Sequence, residues 1–207
     1  ARSNLHAWSN LDAVLITRPA YQEAAEMWAQ MRADEGLAVG VAYQQSVFNE
    51  FSSGQPDPTA FKMLMMMLRD RAQDAGGVAP RFLQLMGDGT FANRGGLATS
   101  PYLITYQSAN SLSPTSSYVS DDYFGFLEDG MGEDMSDKLA IGIGRFPCSN
   151  AGEAVDFVMK LKRYDGLAPP ANSACGLDAS RPDKGAWRNR IVLVSDDMDG
   201  SGGPTEL

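Results

Sequence analysis

The feature that most constrains this chain is a strand-helix-strand succession completed by residue 43. Leu11-Asp12-Ala13-Val14-Leu15-Ile16-Thr17 is short, apolar and β-branched, which is how a buried strand reads. Pro19 opens a helix in which Tyr21, Ala24, Ala25, Trp28 and Met31 recur at i, i+3, i+4, i+7 spacing, and Gly36 is placed to end it. Leu37 to Tyr43 is the second strand. A crossover of this size joins parallel strands, so the expected class is α/β, three layers around a mainly parallel sheet.

The rest of the chain continues the alternation. A connector containing Phe48 to Gly54 leads to Asp57-Pro58, an N-cap followed by proline at the first helical position. Phe61, Leu64, Met65, Leu68 and Ala72 then share one helix face, and Gly76-Gly77 stops the helix. The run Met65-Met66-Met67 reads as core filler, since thioethers fill irregular apolar gaps. Arg81 to Met86 is a third strand running into Gly87-Asp88-Gly89. Ligands collect at the carboxyl ends of strands in open α/β sheets, so Asp88 is either a site residue or a turn aspartate. Residues 91–120 are rich in Gly, Ser, Asn, Thr and Pro and are expected as a long surface loop with one strand-like piece, Tyr102 to Tyr106. Ser120 to Leu127 reads as a short strand, followed by an acidic loop and a glycine-punctuated strand, Leu139 to Phe146. Asn150 and Glu153 form a capping pair for a helix with Ala154, Phe157, Val158, Leu161 and Tyr164 on its buried face. Residues 169–184 read as linker, and Arg190 to Ser195 as a last strand.

Composition removes several classes of function. With 17 Lys+Arg against 26 Asp+Glu, the net charge of −9 disfavours phosphate backbones and anionic lipid. At 43% hydrophobic and 21% charged, the chain has the apolar side chains for a core and is not a disordered composition. No apolar stretch approaches the roughly 18 residues of a membrane span, and the first residues lack the layout of a signal peptide. The 207 residues correspond to about 1.4 domains, one full domain plus the start of another. Cys148, Cys175 and the single His6 cannot supply a Cys₄ or Cys₂His₂ zinc site.

Catalytic chemistry is not spelled out by residue pattern. A cysteine nucleophile needs a base within hydrogen-bond reach, and His6 stands at an end expected to be mobile, so no His6–Cys dyad is expected. Cys148 lies between a strand and a helix, where a helix dipole can lower a thiol pKa; the plainer reading is a small semi-buried residue. Asp121-Asp122 and Asp196-Asp197 are adjacent, and neighbours on a strand face opposite ways, so neither makes a two-carboxylate site. Asp197-Met198-Asp199-Gly200 begins like an EF-hand loop without its closing glutamate and reads as a solvated turn. Walker A, Gly-x-Ser-x-Gly and His-Glu-x-x-His sequences are absent. A flavodoxin-like nucleotide site is disfavoured because Thr17-Arg18-Pro19 stands where a glycine loop would cradle phosphate.

Four blocks, Glu50-Phe51-Ser52-Ser53-Gly54-Gln55-Pro56-Asp57-Pro58-Thr59-Ala60, Gly87-Asp88-Gly89-Thr90-Phe91-Ala92-Asn93-Arg94, Ser120-Asp121-Asp122-Tyr123-Phe124-Gly125 and Gly142-Ile143-Gly144-Arg145-Phe146-Pro147, stand in the order found in another group of proteins. Through them the chain resembles the gingipain-type cysteine peptidases of family C25, in particular the sortase branch of the type IX secretion system of Bacteroidetes. The resemblance implies a caspase-like catalytic domain of two α/β subdomains, outer-membrane-associated, on the cell surface or secreted. Its expected organisation is an extension over 1–10, a first subdomain over 11–168, a linker over 169–186 and the first strand of a second subdomain over 187–207.

Several expectations come with the resemblance alone. The sortase branch removes C-terminal sorting domains from exported cargo and joins the cargo to lipopolysaccharide through a thioester on cysteine. In the family the catalytic histidine lies in a Gly-His-Gly turn and the cysteine on a following strand, both in the second subdomain. Neither motif occurs here, so no catalytic or substrate-binding residue is assigned and the 207 residues are expected to be inactive alone. Gingipains also carry a non-nucleophilic cysteine after Gly-Arg-Phe, which matches Cys148. The resemblance further implies structural Ca²⁺ held by Asp88 with Asp129 and Asp134, hard oxygen donors that suit the ion. Implied partners are the second catalytic subdomain, secreted cargo with sorting domains, and other secretion components. The rival expectation is a non-catalytic pseudoenzyme module that binds a secretion partner through the same scaffold.

Overall fold

The fold is built outward from β1 (Ala13–Thr17), whose residues are all buried. Pro19–Tyr21 forms a 3-10 turn, and α1 (Gln22–Asp34) then buries Ala24, Ala25, Trp28 and Met31, the face the spacing predicts. Gly36, at φ +89°, turns the chain into β2 (Val39–Tyr43). The expected connector is instead helical: α2 (Gln44–Phe51) forms because Val47 and Phe48 can be buried from one short amphipathic turn. Asp57 Oδ1 accepts from the Thr59 amide at 2.8 Å and starts α3 (Thr59–Ala75), which Gly76 ends in the left-handed region at φ +67°.

β3 (Phe82–Met86) is followed by four two-residue strands, β4 (Gly89–Thr90), β5 (Leu103–Ile104), β6 (Tyr106–Gln107) and β7 (Val119–Ser120). The strand expected from Ser120 to Leu127 is a 3-10 turn over Asp122–Gly125 instead, which buries Phe124. β8 (Gly142–Phe146) and α4 (Ala151–Tyr164) complete the set. Asn150 Oδ1 accepts from the Glu153 amide at 3.0 Å and its amide donates back to Glu153 Oε1 at 2.7 Å, so the expected cap forms. Ala154 and Val158 are buried, whereas Tyr164, expected on the same face, is 44% exposed at the helix end.

The main sheet runs β2-β1-β3-β8 with every pair parallel. Alternate residues of β1 face opposite layers. Ala13 and Leu15 pack with α1 and α4, and Val14 and Ile16 with α2 and α3. The fold is therefore the expected three-layer α/β sandwich. Residues 5–8 are not loose: the Leu5 and His6 amides donate to the Glu50 carboxylate at 3.0 Å each, and Leu5 is buried. Burial opposes ionisation of Glu50, but these amide donors outweigh it and hold the carboxyl below its ordinary value.

The structure, a computed structural model, describes residues 3–90, 93, 102–108, 113, 117–132, 137–165 and 191–192. By contact, the chain divides into units Ala1–Leu167 and Ala168–Leu207. Ile191 and Val192 are exposed and the rest of the expected 190–195 strand, like the linker before it, lies outside the described residues. Among the described residues no helix is long and apolar enough to cross a membrane.

Candidate functional site

A parallel sheet carries all its carboxyl ends on one rim, where ligands of such folds collect. Here the rim above β3 and β8 is organised by Arg145. Its Nε and Nη2 donate to the two Asp121 oxygens at 2.7 and 2.6 Å, a bidentate fork. Its Nη1 donates to Gly87 O at 3.0 Å, and Nη2 also reaches Ile104 O at 3.4 Å. One guanidinium thus ties the end of β3, the β5 segment and the 3-10 turn to β8.

Around it, the Gly87 amide donates to Phe146 O and the Asp88 amide to Cys148 O, each at 3.0 Å. The Asp88 carboxylate accepts from the Gly89 amide at 2.8 Å. Gly89 has no room for a side chain: a Cβ there would stand 2.8 Å from Thr105 Cγ2. The piece expected on a surface loop is buried, because Gln44 Oε1 accepts from the Ile104 amide at 2.8 Å and Arg18 Nη1 donates to Tyr102 O at 3.1 Å. An open cleft of about 570 Å³ results, lined by Asp88, Gly89, Thr90, Tyr102, Thr105 and Arg145 together with 119–121. A second hollow, about 460 Å³, lies at the opposite end of the strands beside Trp28 and Gly142 and carries no nucleophile.

The sequence-derived candidates separate in space. Asp88 is in the cleft. Asp129 does not line it; its neighbour Glu128 pairs with Arg69 of α3 at 3.0 Å. Asp134 lies outside the described residues. Among the described residues no group of three His, Cys, Asp or Glu side chains converges as a metal site, and Arg145 fixes a positive charge on the cleft wall. Calcium therefore rests on the resemblance, and no step is derived through it. Asp121 and Asp122 do part company, as adjacent carboxylates were expected to, though on a turn rather than a strand: one grips Arg145 and the other lines a different hollow.

Cys148 is fully buried, and its thiol is pushed up to about 11 by burial and then by the Glu153 charge. At neutral pH it is therefore held as the protonated thiol, the less reactive form. His6 is far from it in the architecture: Leu5 packs into the α2/α3 layer and Cys148 into the α1/α4 layer. His6 meets Glu50 O at 3.2 Å and the Phe51 ring at 4.6 Å instead. The residues that sequence reasoning missed are Arg145, Asp121 as its partner, and Gln44. Gly-Arg-Phe was visible as a block, but the pairing needs the fold.

The family model of Peptidase family C25 matches residues 6–206. The chain belongs to this peptidase family. Among solved structures, it is similar to the dimeric latent PorU of Porphyromonas gingivalis, at 32% identity and TM-score 0.68, over 91% of this chain and 17% of that one. A structure described only as a protease matches at 16% identity and TM-score 0.53, over 83% of this chain and 33% of that one, and shows the fold alone. No curated protein matches. The chain thus spans about a sixth of the PorU chain, and the C25 fold it carries is that of PorU. In C25 terms, the Arg145 cleft lies on the rim of this parallel sheet, and the described residues place no cysteine–histidine pair there.

Proposed function

We propose that the chain is the buttressing half of a PorU-like cysteine peptidase or sortase domain. It shapes one wall of the substrate cleft, and a second catalytic subdomain supplies the histidine and the cysteine. The observation that carries this reading is the C25 match across 6–206 in a chain whose single histidine is His6 and whose Cys148 is buried and protonated. On this reading the whole protein acts at the outer membrane or cell surface, removes C-terminal sorting domains from secreted cargo and transfers the cargo to lipopolysaccharide, alongside other secretion components. Residues 88–90 and Arg145 present the cleft wall and keep it rigid. Fold alone does not fix activity, so the reading needs a chemical test.

That test exposes the whole parent protein to a thiol-reactive peptide probe. Labelling that persists in Cys148→Ser and in Cys175→Ser places the nucleophile outside these residues and supports the proposal. A folded parent left unlabelled by every probe sequence would favour a non-catalytic partner-binding module. Calcium at Asp88 is proposed from the resemblance alone. It predicts a higher thermal midpoint in millimolar calcium than in equal magnesium, a difference that Asp88→Asn removes.

A further inference from the structure

The α2 helix is short, yet its two ends are tied to different parts of the molecule. At the amino end Gln44 is buried; its Oε1 accepts from the Ile104 amide at 2.8 Å and its Nε2 donates to Tyr102 O at 3.5 Å. Tyr102 and Thr105, on either side of this piece, line the Arg145 cleft, and Ile104 O meets Arg145 Nη2. At the other end the Glu50 carboxylate accepts from the Leu5 and His6 amides. Gln44 and Glu50 stand six positions apart, about 9 Å along a helix axis. Gln45 Nε2 donates to Asn49 Oδ1 at 3.0 Å across one turn, and Val47 and Phe48 are buried, so α2 is braced to move as one body.

Residues 5–8 form a strap held from two helices. Glu50 of α2 takes its amides, and Arg71 of α3 takes its carbonyls, with Nη1 donating to both His6 O and Trp8 O. Leu5 is buried in the same apolar layer as Val47 and Phe48. Trp8 closes over β2, and Gly40 is what lets it lie there: a Cβ at that position would stand 2.8 Å from the Trp8 ring and 2.7 Å from Leu11 Cδ1. The polar bonds of the strap are exposed or half-buried, unlike those of the central strands, so the strap can open at a lower free energy than the core.

We propose that the strap is a conformational latch for the cleft. Seated, it fixes α2, and α2 through Gln44 fixes the Tyr102–Thr105 wall; lifted, it frees α2 and the wall loosens with it. The warrant is an unbroken series of contacts through one short helix, from Arg71 and Glu50 to the strap and from Gln44 to Ile104. Arg18 and Arg145 also hold this wall, so the latch tunes its order and does not by itself unfold it. Coupling of this kind is reciprocal: loss of the Gln44 contact must loosen the strap by the factor with which loss of the strap loosens the wall. The inference goes beyond the peptidase reading and holds whatever chemistry the cleft serves.

The test is native-state hydrogen exchange of backbone amides on the 207-residue chain. Glu50→Gln weakens the strap from α2 and Arg71→Met weakens it from α3. Each is expected to speed exchange at Leu5 and His6 and, through α2, at Ile104 by roughly three- to tenfold, while the Val14 and Ile16 amides of β1 stay unchanged and report an intact core. Gln44→Ala, which acts at the cleft end, should speed exchange at Leu5 and His6 by a similar factor. Strap amides that accelerate while Ile104 does not would overturn the latch. So would an Ile104 response to Glu50→Gln but not to Arg71→Met, which would belong to the helix end and not to the strap. Strap amides unmoved by both variants, no reply at the strap to Gln44→Ala, or β1 accelerating in step with Ile104 would each overturn it as well.

Discussion

Arg145 shows how much of the rim of a sheet can hang on one side chain. It is 13% exposed, its partner Asp121 25%, and two backbone carbonyls complete its coordination. Removing the guanidinium leaves a partly buried carboxylate and unpartnered carbonyls, so Arg145→Met is expected to cost about 2–3 kcal/mol. Asp121→Asn keeps one acceptor and should cost about half as much. Urea unfolding of both single variants and the double variant checks this, with a coupling near 1 kcal/mol expected between them. Cys148 makes a pH prediction. Its folded value near 11 stands above the ordinary 9.0, so the fold favours the protonated thiol. That contribution is fully present below pH 9 and is lost as pH rises from 9 towards 11. Burial also raises Tyr21, which acts in the same alkaline direction. Stability measured across this range should fall less steeply in Cys148→Ala, with the Tyr21 share of the fall remaining.

Among the elements, those with strong periodic or terminal signals were legible and those made by tertiary contact were not. α4 announces itself through Asn150 and Glu153, and the cap forms as the pattern implies. Asn150→Ala should therefore lower stability by about 1 kcal/mol, read as a shift in urea midpoint without a change in slope. β1, α1, α3 and β8 were equally visible from apolar spacing, proline and glycine. By contrast α2 is eight residues long with three polar residues at its start, and only burial of Val47 and Phe48 against the sheet makes it a helix. β5 is two residues within a polar stretch, yet Leu103 and Ile104 are fully buried because Gln44, Arg18 and Arg145 reach across to their backbone. Those donors and acceptors come from 41 to 84 positions away, a distance at which no local pattern can report. The candidate cleft was legible to the same extent: Asp88 by its place after a strand, Arg145 and Asp121 only once β8 lay beside β3.

For the molecule as a whole, the sheet separates two apolar layers that share few side chains. Leu64→Ala, in one layer, and Met31→Ala, in the other, should each cost about 2–5 kcal/mol and add to within about 0.5 kcal/mol. A larger discrepancy in the double variant would mean that the sheet transmits strain between its faces. The strand order has a further consequence, in time rather than in space. β1 is central in the sheet but the first of its four strands in sequence, and the bond from Thr17 Oγ1 to Met86 O closes 69 residues. A chain that emerges from its amino end can pair β1 with β2 almost at once, yet it must hold the other edge of Ala13–Thr17 unpartnered until β3 arrives. Among the described strands, the most aliphatic is thus the one that waits longest for its second neighbour. Non-local parallel pairing of this kind slows folding and exposes unpaired edges to aggregation, so refolding yield is expected to fall with protein concentration while β1 waits for β3.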